Sequence, residues 1–311
     1  MKHLATTVET LKPRTQFAHG LNVDTPDSKE PPHPQSLLHI TETLQQPAER
    51  HFHTMASTSP SPFALDGGTL FSLGVAFSLM PAAQLLARVS LPFTVSSKLK
   101  YLFLWHAYDF LTHFIIEGSY LYHCFTSYIE LPSATPDYPH PASLTAEGVY
   151  FLGDASRRYG AIYSQAPMAR LWQEYAKADH RWGGADLTVI SLELLTVGLA
   201  GPCAMYICYL ISKVASTTPS QTRAKLNAKL WFLAIMLATG ELYGGFMTFA
   251  PEWLSGNTQL AGDDPVYLWL YLVFFNMLWV FIPFWVLWEA WNELSSAFEL
   301  ADATKWGKKV E

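Results

Sequence analysis

Asp109, His113 and Glu117 stand four residues apart in an otherwise apolar stretch. On a helix that spacing lines all three along one face, and Tyr120, three residues further on, extends the stripe. Two other apolar stretches each offer a polar pair at i, i+3: Glu193 with Thr196, and Asn276 with Trp279. A carboxylic acid in an apolar cavity can hold a proton at neutral pH. An aromatic face beside a carboxylate stabilises a transient cation. The combination suits protonating an alkene and removing a different proton. The expected reaction is double-bond migration, or cyclisation, in a lipid-soluble substrate.

The elements that must position these residues are membrane helices. Half of the 311 residues are apolar and only 15% are charged, against about a quarter in an ordinary globular chain. Five long apolar windows account for the difference, near 67–87, 101–125, 187–211, 230–250 and 266–288. Each exceeds the roughly 20 residues that a helix needs to cross a bilayer. None alternates as a barrel strand would. The expected fold is therefore all-α, a polytopic bundle of five transmembrane helices over 63–295. The first loop carries Arg88, Lys98 and Lys100 and the third carries Lys213, Arg223, Lys225 and Lys229, both without acids, whereas the last carries Glu252, Asp263 and Asp264. The excess of positive charge places the first and third loops in the cytosol. The N-terminus and the long loop 126–185 are then lumenal, and the tail 296–311 is cytosolic. That tail ends Lys308-Lys309-Val310-Glu311, which resembles the dilysine signal for retrieval to the endoplasmic reticulum.

Residues 1–62 are rich in Pro, Thr, Ser and His and lack a sustained apolar period, so they are expected to be a disordered lumenal extension. They carry no signal-peptide pattern, and Met55 is an alternative start to Met1. The cysteines Cys124, Cys203 and Cys208 lie inside apolar runs and read as small apolar residues. With a net charge of -6 and no Lys/Arg-rich block, nucleic acid is excluded as a partner. An isolated Asn or Thr inside a membrane is most simply interhelical glue, worth about 1 kcal/mol. Two glutamates and a histidine in a charge-poor bundle call for a function instead. Histidines at helical spacing are too few for a membrane di-iron centre, so no metal is expected.

Several motifs, in order, resemble one family. His113-Phe114-Ile115-Ile116-Glu117-Gly118 is similar to the H-x-x-x-E-G of the emopamil-binding proteins, the sterol Δ8–Δ7 isomerases of the EXPERA superfamily. Leu171-Trp172-Gln173-Glu174-Tyr175-Ala176-Lys177-Ala178-Asp179 resembles its LWKEYAKGD segment, and Glu193-Leu194-Leu195-Thr196 with Gly201-Pro202 resembles its E-x-x-T…GP helix. Gly240-Glu241-Leu242-Tyr243-Gly244 is like its GxxYG, and Phe275-Asn276-Met277-Leu278-Trp279 is like its N-x-x-W. The likeness runs from about 67 to 294 and suggests a fungal member. It implies a cofactor-independent isomerase in the endoplasmic reticulum membrane, with His113, Glu117 and Glu193 catalytic. Thr196, Asn276 and Trp279 would line the substrate and stabilise the cation, and Asp109, Tyr120 and Tyr243 are expected beside them from their own positions in the sequence. The implied partners are a sterol, membrane lipid, and a second subunit, either a copy or a paralogue. Two departures stand out: Asp109 replaces a small or apolar residue, and the loop 126–185 is longer and carries Pro132, Pro136, Pro139 and Pro141. They leave open an isomerase or cyclase of a terpenoid or meroterpenoid in fungal secondary metabolism, and a non-catalytic sterol-binding protein.

Overall fold

The computed structural model describes residues 63–130, 150–154 and 156–310, with side chains as far as 304. The extension 1–62 with Met55, the prolines from Pro132 to Pro141, and the Lys308 and Lys309 side chains lie outside the described residues.

Helix α1 (Gly67–Ser90) starts where the Asp66 carboxylate accepts the Thr69 N–H at 2.8 Å, satisfying one donor that the first turn leaves unpaired. Ser96 caps α2 (Ser97–Leu111) in the same way. This helix continues without a break through a π-helical turn, Thr112–Glu117, into α3 (Gly118–Thr126). A short antiparallel ribbon follows, β1 (Tyr128–Glu130) against β2 (Arg157–Tyr159) with Tyr128 opposite Tyr159. Then comes α4 (Pro167–Tyr175). Asp186 caps α5 (Leu187–Leu195), which passes through a second π-helical turn, Thr196–Ala200, into α6 (Gly201–Ser216). Helix α7 (Gln221–Ser255) ends at Gly256, whose φ of 88° is the left-handed conformation that closes a helix at low cost for glycine. A third π-helical turn, Tyr267–Phe274, leads into α8 (Phe275–Val310).

Four of these runs are long and apolar enough to cross a membrane: Gly67–Ser90, Leu187–Ser216, Gln221–Ser255 and Tyr267–Thr304. The run from Ser97 to Thr126 is as continuous, but Asp109, Glu117 and three histidines lower its apolar character. It sits in the middle of the bundle, with α1 and α6 against α2. Small residues let the helices close: Ala83, Ala107, Ala204, Ala234, Ala238 and Ala290 are all buried between them. Large apolar side chains instead point outward, among them Phe77, Leu85, Phe232, Phe246, Phe281 and Trp288. That is the pattern of helices solvated by lipid tails, since no water-soluble surface carries so continuous an apolar face. Lys98 ties α2 to α8 through Glu293 at 2.8 Å and Glu289 at 3.3 Å. The Glu293 hydrogen bond holds its ammonium group above the usual lysine range.

The described part of the loop 126–185 folds over one end of the bundle. Trp172 of α4 stacks on Trp182 with ring centres 4.9 Å apart and planes 8° from parallel. The Trp172 indole N–H also donates to Ser119 Oγ at 2.9 Å, fastening the cap to α3. Arg181 is buried and forks onto Asp179, with Nε 2.9 Å from Oδ1 and a second nitrogen 2.6 Å from Oδ2; it also donates to the Thr248 carbonyl of α7. Gly160 sits at φ 140°, where a Cβ would lie 2.6 Å from the Gly183 carbonyl oxygen, so only glycine lets these two strands of backbone meet. The segment from Leu171 to Asp179 thus supplies Trp172 to the cap's aromatic core and Asp179 to its buried ion pair.

Candidate functional site

The geometry of the site begins at the π-helical turn between α2 and α3. His113 lies inside it, 2% exposed, with one carboxylate a turn before and one a turn after. Its Nδ1 is 2.5 Å from Glu117 Oε2, and its Nε2 is 3.1 Å from Asp109 Oδ1, off the line of a hydrogen bond. Asp109 is fully buried, whereas the Glu117 side chain is 15% exposed and is the member of the row nearest the surface. Beyond Glu117 stand Glu193 and Thr196, contributed by α5 and its π-helical turn. The Thr196 hydroxyl sits 3.1 Å from Glu193 Oε2. The two helices approach so closely because residue 201 is glycine: a Cβ there would stand 3.2 Å from His113 Cβ and 3.1 Å from the Phe114 ring. Pro202 follows and has no N–H to donate, which favours an altered backbone register just before it.

On the other side, the Trp279 indole N–H donates to Asp109 Oδ1 at 3.0 Å. The Trp279 ring packs edge-on against Trp105, 5.5 Å between centres, and at 5.8 Å against Tyr108. An aromatic wall therefore lies beside the Asp109 end of the row. Asp109, His113, Glu117, Glu193, Thr196 and Trp279 are brought together. Three other expected residues are placed differently. Asn276 Nδ2 donates to the Tyr271 and Leu272 carbonyls at 3.0 and 2.9 Å and to the Tyr175 hydroxyl at 3.1 Å. Its amide completes backbone groups of the third π-helical turn and pins the cap; no hydrogen bond to Glu193 is among those of the described residues. Tyr120 belongs to the cap's aromatic core, bonded to the Gly184 carbonyl at 3.2 Å and packed on Trp172 and Trp182. Tyr243 is 66% exposed, on the outer face of α7.

Glu241, two residues before Tyr243, is the group that sequence spacing leaves without a role. It is buried beside Asp109 and Trp105, and neither of its carboxylate oxygens has a hydrogen-bond partner. Its signal in the sequence is that it is the sole charge in the window 230–250. Among the described residues no three His, Cys, Asp or Glu side chains converge as a metal-binding set. Chemically, the arrangement is an imidazole between two carboxylates, bounded by two more carboxylates from neighbouring helices.

Residues 167–290 match the model of the EXPERA family, the expanded EBP superfamily. The chain carries an EXPERA domain. Glu193, Thr196, Glu241, Asn276 and Trp279 lie inside the matched segment, and Asp109, His113 and Glu117 precede it. The chain is 30% identical over 142 residues to the mouse 3-beta-hydroxysteroid-Delta(8),Delta(7)-isomerase, covering 46% of this chain and 56% of that protein. It is 25% identical over 214 residues to a probable isomerase of the same name from Arabidopsis thaliana, covering 68% and 75%. It is also 24% identical over 206 residues to protoglabretal synthase of Ailanthus altissima, covering 66% and 73%. The chain spans about half the length of the mouse and guinea-pig isomerases it matches. The EXPERA match thus bears out the family resemblance, and the apolar helices bear out a membrane protein.

Proposed function

We propose that the EXPERA domain of this chain moves a carbon–carbon double bond in a sterol from Δ8 to Δ7, without a cofactor, through a carbocation. The observation that carries the reading is the row of Glu193, Glu117 and His113 in a charge-poor bundle, joined by the 2.5 Å contact between His113 and Glu117. Glu117, the more exposed of that couple, hands a proton to one alkene carbon, and His113 behind it shares the proton. The positive charge that forms is stabilised by the Glu193 carboxylate, which Thr196 orients, and by the Trp279 face. Loss of the neighbouring allylic proton to Glu193 gives the shifted alkene, and transfer between the adjacent glutamates restores the starting state. One proton enters the substrate and one leaves it, so nothing is oxidised or reduced. The isomerase names of the mouse and Arabidopsis relatives support the reaction class.

The native substrate has a second reading, a terpenoid, and two relatives favour it by their names, protoglabretal synthase and isomeliandiol synthase. We further propose that residues 101–125, within the run from Ser97 to Thr126, form the fifth membrane-spanning helix, its polar face turned inward. The loop charges support a C-terminus in the cytosol of an endoplasmic reticulum protein, with Lys308 and Lys309 as the retrieval signal. Expression in a yeast lacking its sterol isomerase, with sterol profiling, tests the main reading. Restored Δ7 sterols support it; accumulation of Δ8 sterols despite correctly inserted protein rejects a sterol substrate. Changing both lysines to alanine in a tagged chain is expected to release it toward the Golgi, and a lumenal C-terminal tag would reject the topology.

A further inference from the structure

The mechanism above uses Glu117 and Glu193 but leaves Asp109 and Glu241 without a task. Glu241 is 9% exposed and faces Asp109 and Trp105 from α7, yet both its oxygens lack a hydrogen-bond donor. Asp109 Oδ2 is equally unpartnered, whereas Asp109 Oδ1 receives the Trp279 N–H and stands 3.1 Å from His113 Nε2. Two carboxylates facing each other away from water do not both stay ionised; they share a proton. The Trp279 indole N–H donates to Asp109 Oδ1 and the imidazole stands beside the same oxygen, whereas only the Trp105 indole lies beside Glu241, so the charged form is favoured at Asp109. The other titratable groups around this pair are His106, whose Nδ1 is tied to the Leu102 carbonyl at 2.7 Å, Tyr108, Cys203 and Cys208.

We propose that Glu241 holds the shared proton and turns it toward Asp109 Oδ2, leaving Asp109 as the carboxylate that orients His113. The row then has near-mirror symmetry: His113 at the centre, a carboxylate on either side from its own helix, and beyond each a glutamate from a neighbouring helix. With Asp109 ionised, the imidazole keeps its proton on Nε2. That leaves Nδ1 for proton exchange with Glu117, the side open to substrate. Asp109 and Glu241 are positioning residues, since neither needs to touch the reacting carbons. The inference rests on the isomerase reading for its purpose but not for its physical content.

The test therefore has an arm that needs no turnover. Infrared spectra of the purified protein in lipid nanodiscs are expected to contain a carboxylic-acid carbonyl band, shifted in heavy water, that disappears in Glu241→Gln and persists, displaced, in Asp109→Asn. A band lost in Asp109→Asn and unchanged in Glu241→Gln puts the proton on the wrong residue and overturns the assignment. The second arm is turnover of cholest-8-en-3β-ol. Asp109→Asn is expected to lower kcat about a hundredfold or more with KM little changed, as for removal of an orienting carboxylate. Asp109→Glu, which restores charge, recovers part of that loss. Glu241→Gln keeps a donor toward Asp109 and costs a few-fold, whereas Glu241→Leu costs at least about tenfold more, the value of a hydrogen bond to a charged group. Equal losses in Glu241→Gln and Glu241→Leu, or no recovery in Asp109→Glu, overturn the proposal. A wild-type chain that leaves this sterol unchanged while the infrared pattern holds sinks the isomerase reading alone.

Discussion

If His113 and Glu117 work as one proton-handling couple, their removal should be strongly non-additive. The structure gives the reason: His113 Nδ1 and Glu117 Oε2 are 2.5 Å apart, and His113 is almost wholly enclosed. Losing either group breaks the same proton path. A general acid or base contributes about two to four orders of magnitude in rate, or roughly 2.7 to 5.4 kcal/mol at 1.36 kcal/mol per decade. Independent groups would give a double variant slowed by about four to eight orders, the sum of the two logarithms. A unit gives about two to four, near the worse single variant. Glu117→Gln is nearly isosteric and His113→Gln keeps a polar side chain between the carboxylates, so these two and their double are the set to make. The assay is conversion of cholest-8-en-3β-ol by protein in nanodiscs, read by gas chromatography and mass spectrometry, with melting curves to confirm folding. With enzyme in excess in heavy water, the first-turnover product carries one deuteron at the newly protonated carbon. Additive losses, a fully active Glu117→Gln, or a deuterium-free product would refute the mechanism.

Trp279 has two separable roles, an N–H donor to Asp109 and an aromatic face. Trp279→Phe should lower turnover while keeping affinity for cationic amines. Trp279→Leu should weaken amine binding about thirtyfold more, the equivalent of roughly 2 kcal/mol of desolvated cation–π attraction; a purely thermal effect would make the ring mere packing. In the cap, Arg181→Ala leaves the buried Asp179 carboxylate without its partner and should cost about 3–5 kcal/mol of stability, measured by thermal melting. Gly160→Ala should also lower the melting temperature, because its Cβ meets the Gly183 carbonyl at 2.6 Å. The Lys98 tie to Glu293 has the sign of a raised amine. Its stabilisation is fully present below the ordinary lysine value near about 10.4 and fades as pH rises through the higher folded value. The melting difference between wild type and Lys98→Ala should therefore be constant at neutral pH and shrink only in strong alkali.

Much of the architecture is legible in composition, because a membrane helix must be apolar over its whole lipid-facing length. The stripe Asp109–His113–Glu117 is legible for a different reason: spacing of four on one helix fixes a shared face whatever else the fold does. Contacts between helices are less so. Tyr243 illustrates the limit. It lies two residues from Glu241, and two residues turn an α-helix by about 200°, so if Glu241 faces inward Tyr243 must face lipid. A motif that names both residues conceals that opposition. Glu241 itself has no same-helix partner at four residues, and its neighbour Asp109 is supplied by another helix. Asn276 is the reverse case: the family resemblance implies a contact with substrate, but the local backbone uses its amide first, as its type alone suggests.

The π-helical turns explain why that happens, and a sequence gives little notice of them. Such a turn changes the backbone register by one residue and carries no distinct composition. All three here lie next to the polar residues: His113 and Glu117 inside the first, Thr196 at the start of the second, and Asn276 just after the third. Each turn leaves a backbone carbonyl short of its ordinary donor, and buried backbone groups must be paired. Thr196 donates toward the Glu193 carbonyl at 3.1 Å, and Asn276 serves Tyr271 and Leu272. In lipid no water can take over these bonds, so substitutions at Thr196 and Asn276 disturb helix geometry as well as chemistry. The side chains that pair backbone at the second and third turns thus lie within three residues of Glu193 and Trp279, the groups their helices present to the row.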